Sequence, residues 1–250
     1  MAKRAVKVKI PRTDPNEIIT LCEEIYQKHT DDGANSPLTP IDMADFNQKT
    51  IDAKSKLIDA KKWHGQGETA TMEAERVLGI GKGQNVDNPG TVYSITQSAK
   101  NLLLVVHKAN PENLNDWGFN VVVTQTGGRR NVRVDIPRSS PEDLAALAKS
   151  IEDKHVADGA NSPLNVLDMT TFSTKLSEAK TNIALSDKLH GDAEAKNQEA
   201  RVIIGIEENQ STTTEGTLVF VLTQIRDFLL VKYKGIEENL NAWGFEVVVS

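Results

Sequence analysis

Four histidines are the side chains of this sequence best suited to binding a metal ion, because they occur as two equivalent pairs. His29 and His155 are separated by the same number of residues as His64 and His190. A metal site needs several ligands that converge on one point. All four lie on predicted apolar helix faces, where a lone histidine is usually a hydrogen-bonded boundary residue. They are the candidate metal ligands of the sequence, although His29 and His64 are expected at opposite ends of a bundle.

Other catalytic chemistries have little support in the sequence. Cys22 lies within the apolar stripe of a predicted helix and is replaced by Ala148 in the second half, so it is interpreted as a packing residue. The glycine-rich segment 79–84 follows a helix and lacks the Lys-Ser or Lys-Thr of a phosphate-binding loop. Its counterpart, 205–210, contains two glutamates. The sequence therefore predicts no catalytic residue and no cofactor.

Two further motifs occur in both halves of the chain. The loop Asp-Gly-Ala-Asn-Ser-Pro-Leu, which includes Asn35 and Asn161, is predicted to form the corner between two helices through side-chain hydrogen bonds to the backbone. The alternative is a contact surface. The Trp-Gly-Phe motif is predicted to seal the bundle beneath a strand, with an exposed docking patch as its alternative. Its aromatic residues are Trp117, Phe119, Trp243 and Phe245.

An internal repeat explains these pairs. When residues 7–124 are aligned without gaps to residues 133–250, 47 of the 118 positions are identical. The sequence therefore indicates a tandem duplication, with copies at 1–125 and 131–250. Because a repeat usually corresponds to one supersecondary unit, we expect each copy to pack its own helical core.

Each copy is predicted to contain a strand, four helices and a closing strand. Asp-Pro and Ser-Pro-Glu-Asp segments start the first helix of each copy, and Gly33 or Gly159 ends it. The second helix is expected to start at Thr39 or Asn165. A break is predicted near His64, where lysines precede a glycine. The alternative is one long helix of about 40 residues, since the apolar stripe continues past the break.

The junction between the copies predicts a β-hairpin over residues 119–137. Two valine-rich segments flank Gly127 and Gly128, as in a hairpin with a glycine turn. The hairpin would hold the two bundles rigidly. The predicted fold class is mainly α with a small β component (α+β), in which two four-helix bundle units are flanked by short strands.

Composition and charge limit the classes of partner. The net charge of −6 does not favour nucleic acid binding, which usually requires a basic surface. Residues 1–132 carry 17 Lys and Arg against 16 Asp and Glu, whereas residues 133–250 carry 12 against 19. No apolar run reaches the length of a membrane span. We expect a cytoplasmic protein without membrane insertion, although a removed signal peptide remains an alternative.

These observations favour a non-enzymatic structural, scaffolding or protein-interaction protein. Its expected partner is a protein, including a second copy of itself in an oligomer or filament. The basic N-terminal strand of one molecule would contact the acidic second half of another. The alternative function is a helical bundle that binds a small ligand or a metal through the paired histidines. An enzyme ranks last.

Overall fold

The computed structural model describes residues 6–84, 88–126 and 129–249. Within these residues the protein is mainly helical with short antiparallel strands, which confirms the predicted α+β class. Its helices are α1 (Pro15–Asp32), α2 (Met43–Leu78), α3 (Val92–Val106), α4 (Pro141–Asp158), α5 (Met169–Ile204) and α6 (Leu218–Lys232). Its strands are β1 (Val6–Lys9), β2 (Asn120–Thr126), β3 (Arg129–Asp135) and β4 (Glu246–Val249). Short 3-10 turns lie at Gly33–Asn35, Pro111–Trp117, Gly159–Asn161, Pro163–Val166 and Glu237–Trp243.

The predicted helix break near His64 is wrong, and the long-helix alternative is the observed one. Helix α2 runs for 36 residues through Gly65 and Gly67, and α5 has the same length. A glycine inside a helix costs about 1 kcal/mol relative to alanine. Buried alanines continue the apolar stripe on both sides of the glycines, at Ala60 and Ala70. Tertiary packing of that stripe outweighs the local cost.

Side-chain caps set the helix starts. Asp14 accepts a hydrogen bond from the backbone N–H of Asn16 at 2.8 Å, as predicted for the start of α1. The predicted starts of the second helices at Thr39 and Asn165 are wrong. Asp42 caps α2 instead, because its Oδ1 accepts from the Asp45 backbone at 3.0 Å, and Asp168 does the same for α5. The side-chain hydroxyl of Thr171 donates a hydrogen bond to Asp168, and so does its backbone N–H. These two bonds, the first more than the second, hold the pKa of Asp168 below its usual range.

The compact units of the fold differ from the sequence copies. One unit contains residues 1–64 and 191–250, and the other contains residues 65–190. We call them the terminal unit and the central unit. Helices α2 and α5 each contribute one segment to the terminal unit and another segment to the central unit. The expectation that each copy packs its own core is therefore wrong.

Each core combines side chains from both copies. In the terminal unit, Ile18 and Ile25 of α1 belong to one buried cluster with Leu222 and Leu229 of α6. In the central unit, α3 of the first copy packs with α4 of the second, and the buried residues of this core include Leu103, Leu144 and Ile151. Segments of four helices surround each core, and each set of four comes from two copies. The predicted four helices per copy are wrong, because each copy has three α-helices among the described residues.

Each unit also contains one two-stranded antiparallel sheet. Strand β2 pairs with β3 in the central unit, which confirms the predicted hairpin strands. The predicted glycine turn at Gly127 and Gly128 lies outside the described residues. Because both hairpin strands belong to the central unit, the expectation that they hold two bundles together is not met. Strand β1 pairs with β4 in the terminal unit, with Val8 opposite Val247.

A membrane-spanning helix is not found among the described residues, since none of their helices combines sufficient length with sufficient apolarity.

Candidate functional site

The first histidine pair stabilises the corner after α1 and after α4. His29 Nδ1 lies 2.6 Å from Ser36 Oγ, and His155 Nδ1 lies 2.7 Å from Ser162 Oγ. Both serines are buried, and each hydroxyl also accepts a hydrogen bond from the backbone N–H two residues further on. A buried hydroxyl needs such partners to offset the cost of its desolvation. These two histidines therefore act within the corners.

The asparagines of the same loop do not share this burial. Asn35 and Asn161 are exposed at the ends of 3-10 turns. The hydrogen bonds predicted to set the corner are made by the neighbouring serines. Asn35 and Asn161 therefore remain candidates for a contact surface.

The Trp-Gly-Phe aromatic rings are buried in the two cores. Trp243 and Phe245 belong to the core of the terminal unit, and Trp117 and Phe119 belong to that of the central unit, each with at most 2% exposure. This burial is what a hydrophobic seal requires. The Nζ atoms of Lys28 and Lys154 lie 5.7 and 5.8 Å from the ring centroids of Trp243 and Trp117, respectively, within the range of a cation–π contact.

The glycine of this motif permits a close approach to a helix. Gly118 has φ +86°, and a Cβ atom there would lie 2.5 Å from Cβ of Ser150 on α4. Gly244 has φ +82°, and a Cβ atom there would lie 3.1 Å from Leu21 Cδ1 and 3.2 Å from Glu24 Cβ on α1. Only glycine satisfies both the left-handed backbone and the lack of space. The motif is therefore used for packing in each unit.

Cys22 and Gly79, the first residue of the glycine-rich segment 79–84, both lie in tightly packed surroundings. Cys22 is completely buried, and burial raises the pKa of its thiol far above the usual value. Gly79 has φ +85° and lies directly against Thr91, the N-cap of α3. The positive φ and the close contact with Thr91 explain why residue 79 is a glycine. Gly205 makes the same contact with Thr217.

A surface groove in the terminal unit lies between β1, β4 and α1. Its volume is about 590 Å³, and its charged lining includes Glu17, Glu24 and Glu246 beside Lys9. Lys9 forms an ion pair with Glu246 at 2.6 Å. The carboxylates of Glu17 and Glu24 give the groove a negative charge, which favours a cationic ligand over an anionic one.

The second histidine pair lies in the middle of the long helices. His64 is on α2, one helical turn before Glu68, and His190 is on α5. In the central unit, His190 Nε2 lies 3.8 Å from Glu68 Oε1. The side chain of His190 is 33% exposed and that of Glu68 is 60% exposed. This imidazole and carboxylate therefore meet where solvent reaches them.

Sequence reasoning identified His190 but missed Glu68. The spacing His-x-x-x-Glu occurs at 64–68 and again at 190–194, so the signal was present in both copies. Residues four apart on a helix share a face. The predicted break near His64 hid this relationship, because it placed His64 and Glu68 on different helices.

No family model, no curated protein and no solved structure shows a significant similarity to this chain.

Proposed function

We propose that this protein is a non-enzymatic structural or protein-interaction protein, built by tandem duplication of one helical repeat, and that it self-associates through a terminal strand. The identity between the copies supports the duplication, as do the equal lengths of α1 and α4, of α2 and α5, and of α3 and α6. The second edge of β4, beside which the described residues place no strand, is the observation that carries the proposed association; of its backbone groups, the N–H of Val247 is already bound by Asn241 Oδ1 at 3.3 Å.

Strand β4 is suited to pairing with another strand. Among the described residues its strand partner is β1 alone, so its second edge has no strand beside it. Val247 packs against the core, whereas Val248 is 41% exposed. Apart from Glu246, β4 consists of β-branched valines, and an edge strand of such residues is a template for strand addition. Strand β1 is protected by comparison, because Lys7 and Lys9 alternate with its valines.

The contact expected between the basic N-terminal strand and another molecule is replaced by a contact within one chain. Strand β1 lies on β4, and Lys9 pairs with Glu246. The proposed association is therefore between the β4 strands of two copies. Antiparallel pairing of identical strands is two-fold symmetric and closes as a dimer, in contrast to a head-to-tail filament.

Sedimentation velocity over a concentration series tests this proposal. The full chain should form a dimer in reversible equilibrium with the monomer. Val248→Lys should shift the equilibrium towards the monomer, because a lysine on an edge strand opposes further pairing. Val156→Lys is the matched control, since Val156 is 70% exposed on α4 of the other unit. It should dimerise like the natural chain.

Two results would contradict the proposal. One is a natural chain that stays monomeric at high concentration and low salt. The other is a Val248→Lys variant that dimerises as strongly as the Val156→Lys control.

A further inference from the structure

The contact between Glu68 and His190 in the central unit has the ligand chemistry of a transition-metal site. Imidazole nitrogen and carboxylate oxygen are both ligands of Zn²⁺, at about 2.0–2.2 Å. Two such atoms at a tetrahedral angle lie about 3.4 Å apart. The observed separation of 3.8 Å is close to that value and longer than an ordinary hydrogen bond. An ion would need only a small adjustment of the two side chains.

Gly67 provides space for this imidazole. Gly67 is buried within α2, and a Cβ atom built there would lie 2.8 Å from His190 Nε2 and 3.0 Å from its Cδ2. The imidazole therefore packs directly on the helix backbone beside Glu68. The second copy has Ala193 at the equivalent position, also in a helix and buried. Glycine at position 67 lowers the stability of the helix relative to alanine, but it leaves room for the imidazole of His190.

The donors of this pair suit a borderline metal ion. One imidazole and one carboxylate from the protein, with the remaining positions left to water, form a ligand set that Zn²⁺, Co²⁺, Ni²⁺ or Cu²⁺ accepts.

We propose that Glu68 and His190 of the central unit bind a divalent transition-metal ion at the solvent-exposed face of α2. The ligands are one borderline nitrogen donor and one carboxylate, which favours these ions over Mg²⁺ or Ca²⁺. The site does not depend on the association of β4 strands, so it stands or fails independently of the proposed dimer.

Titration of the chelator-treated full chain with Co²⁺, followed by competition with Zn²⁺, tests the site. We expect one equivalent of Co²⁺ to bind and to give visible absorption bands, which Zn²⁺ then removes. His190→Gln should abolish these bands, and Glu68→Gln should weaken binding at least tenfold. Each variant should keep its helical circular dichroism, because both positions are partly or largely exposed.

Two further variants separate metal binding from folding and from nonspecific binding by histidine. Gly67→Ala should weaken metal binding by displacing the imidazole, although alanine favours the helix. His29→Gln should bind Co²⁺ like the natural chain, because its amide can still bond Ser36 outside the proposed site. A natural chain that binds no Co²⁺ or Zn²⁺, or a His190→Gln variant that binds as well as His29→Gln, would overturn the proposal.

Discussion

The Nζ atom of Lys28 lies 5.7 Å from the ring centroid of Trp243, although the lysine belongs to the first sequence copy and the tryptophan to the second. Lys154 and Trp117 repeat this relationship at 5.8 Å in the central unit, with the copies exchanged. The aromatic motif that ends one copy thus packs beneath the first helix of the other. This exchange of packing partners organises the fold and makes several of its properties testable.

Replacing Trp243 with alanine should destabilise the terminal unit strongly. The ring is 1% exposed, and removing a large buried aromatic side chain costs about 3–5 kcal/mol. The free energy of unfolding is measured by denaturant titration with circular dichroism. Trp63→Ala is the control, since Trp63 is only partly buried, with Lys196 6.0 Å from its ring centroid. It should cost less than half as much. Equal losses would show that the buried ring has no special role.

Gly118→Ala should be more destabilising than Gly90→Ala, although both glycines have nearly the same positive φ. The left-handed backbone costs an alanine about 1–2 kcal/mol at either position. A Cβ atom on Gly90 meets nothing within 4 Å, whereas one on Gly118 would overlap with Ser150. Overpacking should add about 1–3 kcal/mol. Thermal unfolding of the two variants measures this difference, and equal melting temperatures would contradict the close approach.

Cys22 should react with a thiol reagent only when the terminal unit opens. The side chain is completely buried, and burial raises the pKa of its thiol, so little thiolate forms at neutral or mildly alkaline pH. The rate of reaction with a disulfide reagent such as Ellman's reagent measures this protection. It should rise steeply near the denaturation midpoint. The same peptide unfolded in denaturant is the control. Rapid labelling of the native chain would contradict the observed burial.

A single repeat, residues 1–126, should not fold as a monomer. Each core uses side chains of both copies, so one copy alone leaves the apolar stripes of α1 and α3 without the partners that they have in the full chain. A second molecule of the fragment can supply equivalent stripes, as in a swapped dimer. We therefore expect a dimer that loses helicity on dilution.

Light scattering and circular dichroism over a concentration series would measure this behaviour, with the full chain as the control. A helical monomer that unfolds cooperatively at the same midpoint regardless of concentration would contradict the exchange of partners between copies.

Much of the local structure could be predicted from the sequence. The Asp14 cap, the Gly33 helix end and the paired strands of the hairpin all follow from local patterns, and the structure contains each of them. The burial of the Trp-Gly-Phe rings also follows, because large aromatic side chains dominate the burial of apolar surface in a core. Such features depend on residues that are close together in the chain.

The continuity of α2 through His64 depended on tertiary structure. Lysines followed by glycines are typical of a helix end, and locally they favour a break. The buried alanines on both sides of Gly65 gain more from packing than the glycines cost. Only the tertiary structure brings Glu68 of α2 beside His190 of α5 in the central unit, so the candidate metal site could not be inferred from the histidine positions alone.

The choice of packing partners was also decided by the tertiary structure. An apolar stripe shows which face of a helix is buried, but not against which helix. In a repeated sequence the ambiguity is greater, because the stripe of α1 fits equivalent stripes from either copy. The long helices α2 and α5 carry the chain from one unit into the other, so α1 packs with α6 and β1 pairs with β4. The sequence determined the elements and their buried faces, whereas the length of two helices decided which faces meet.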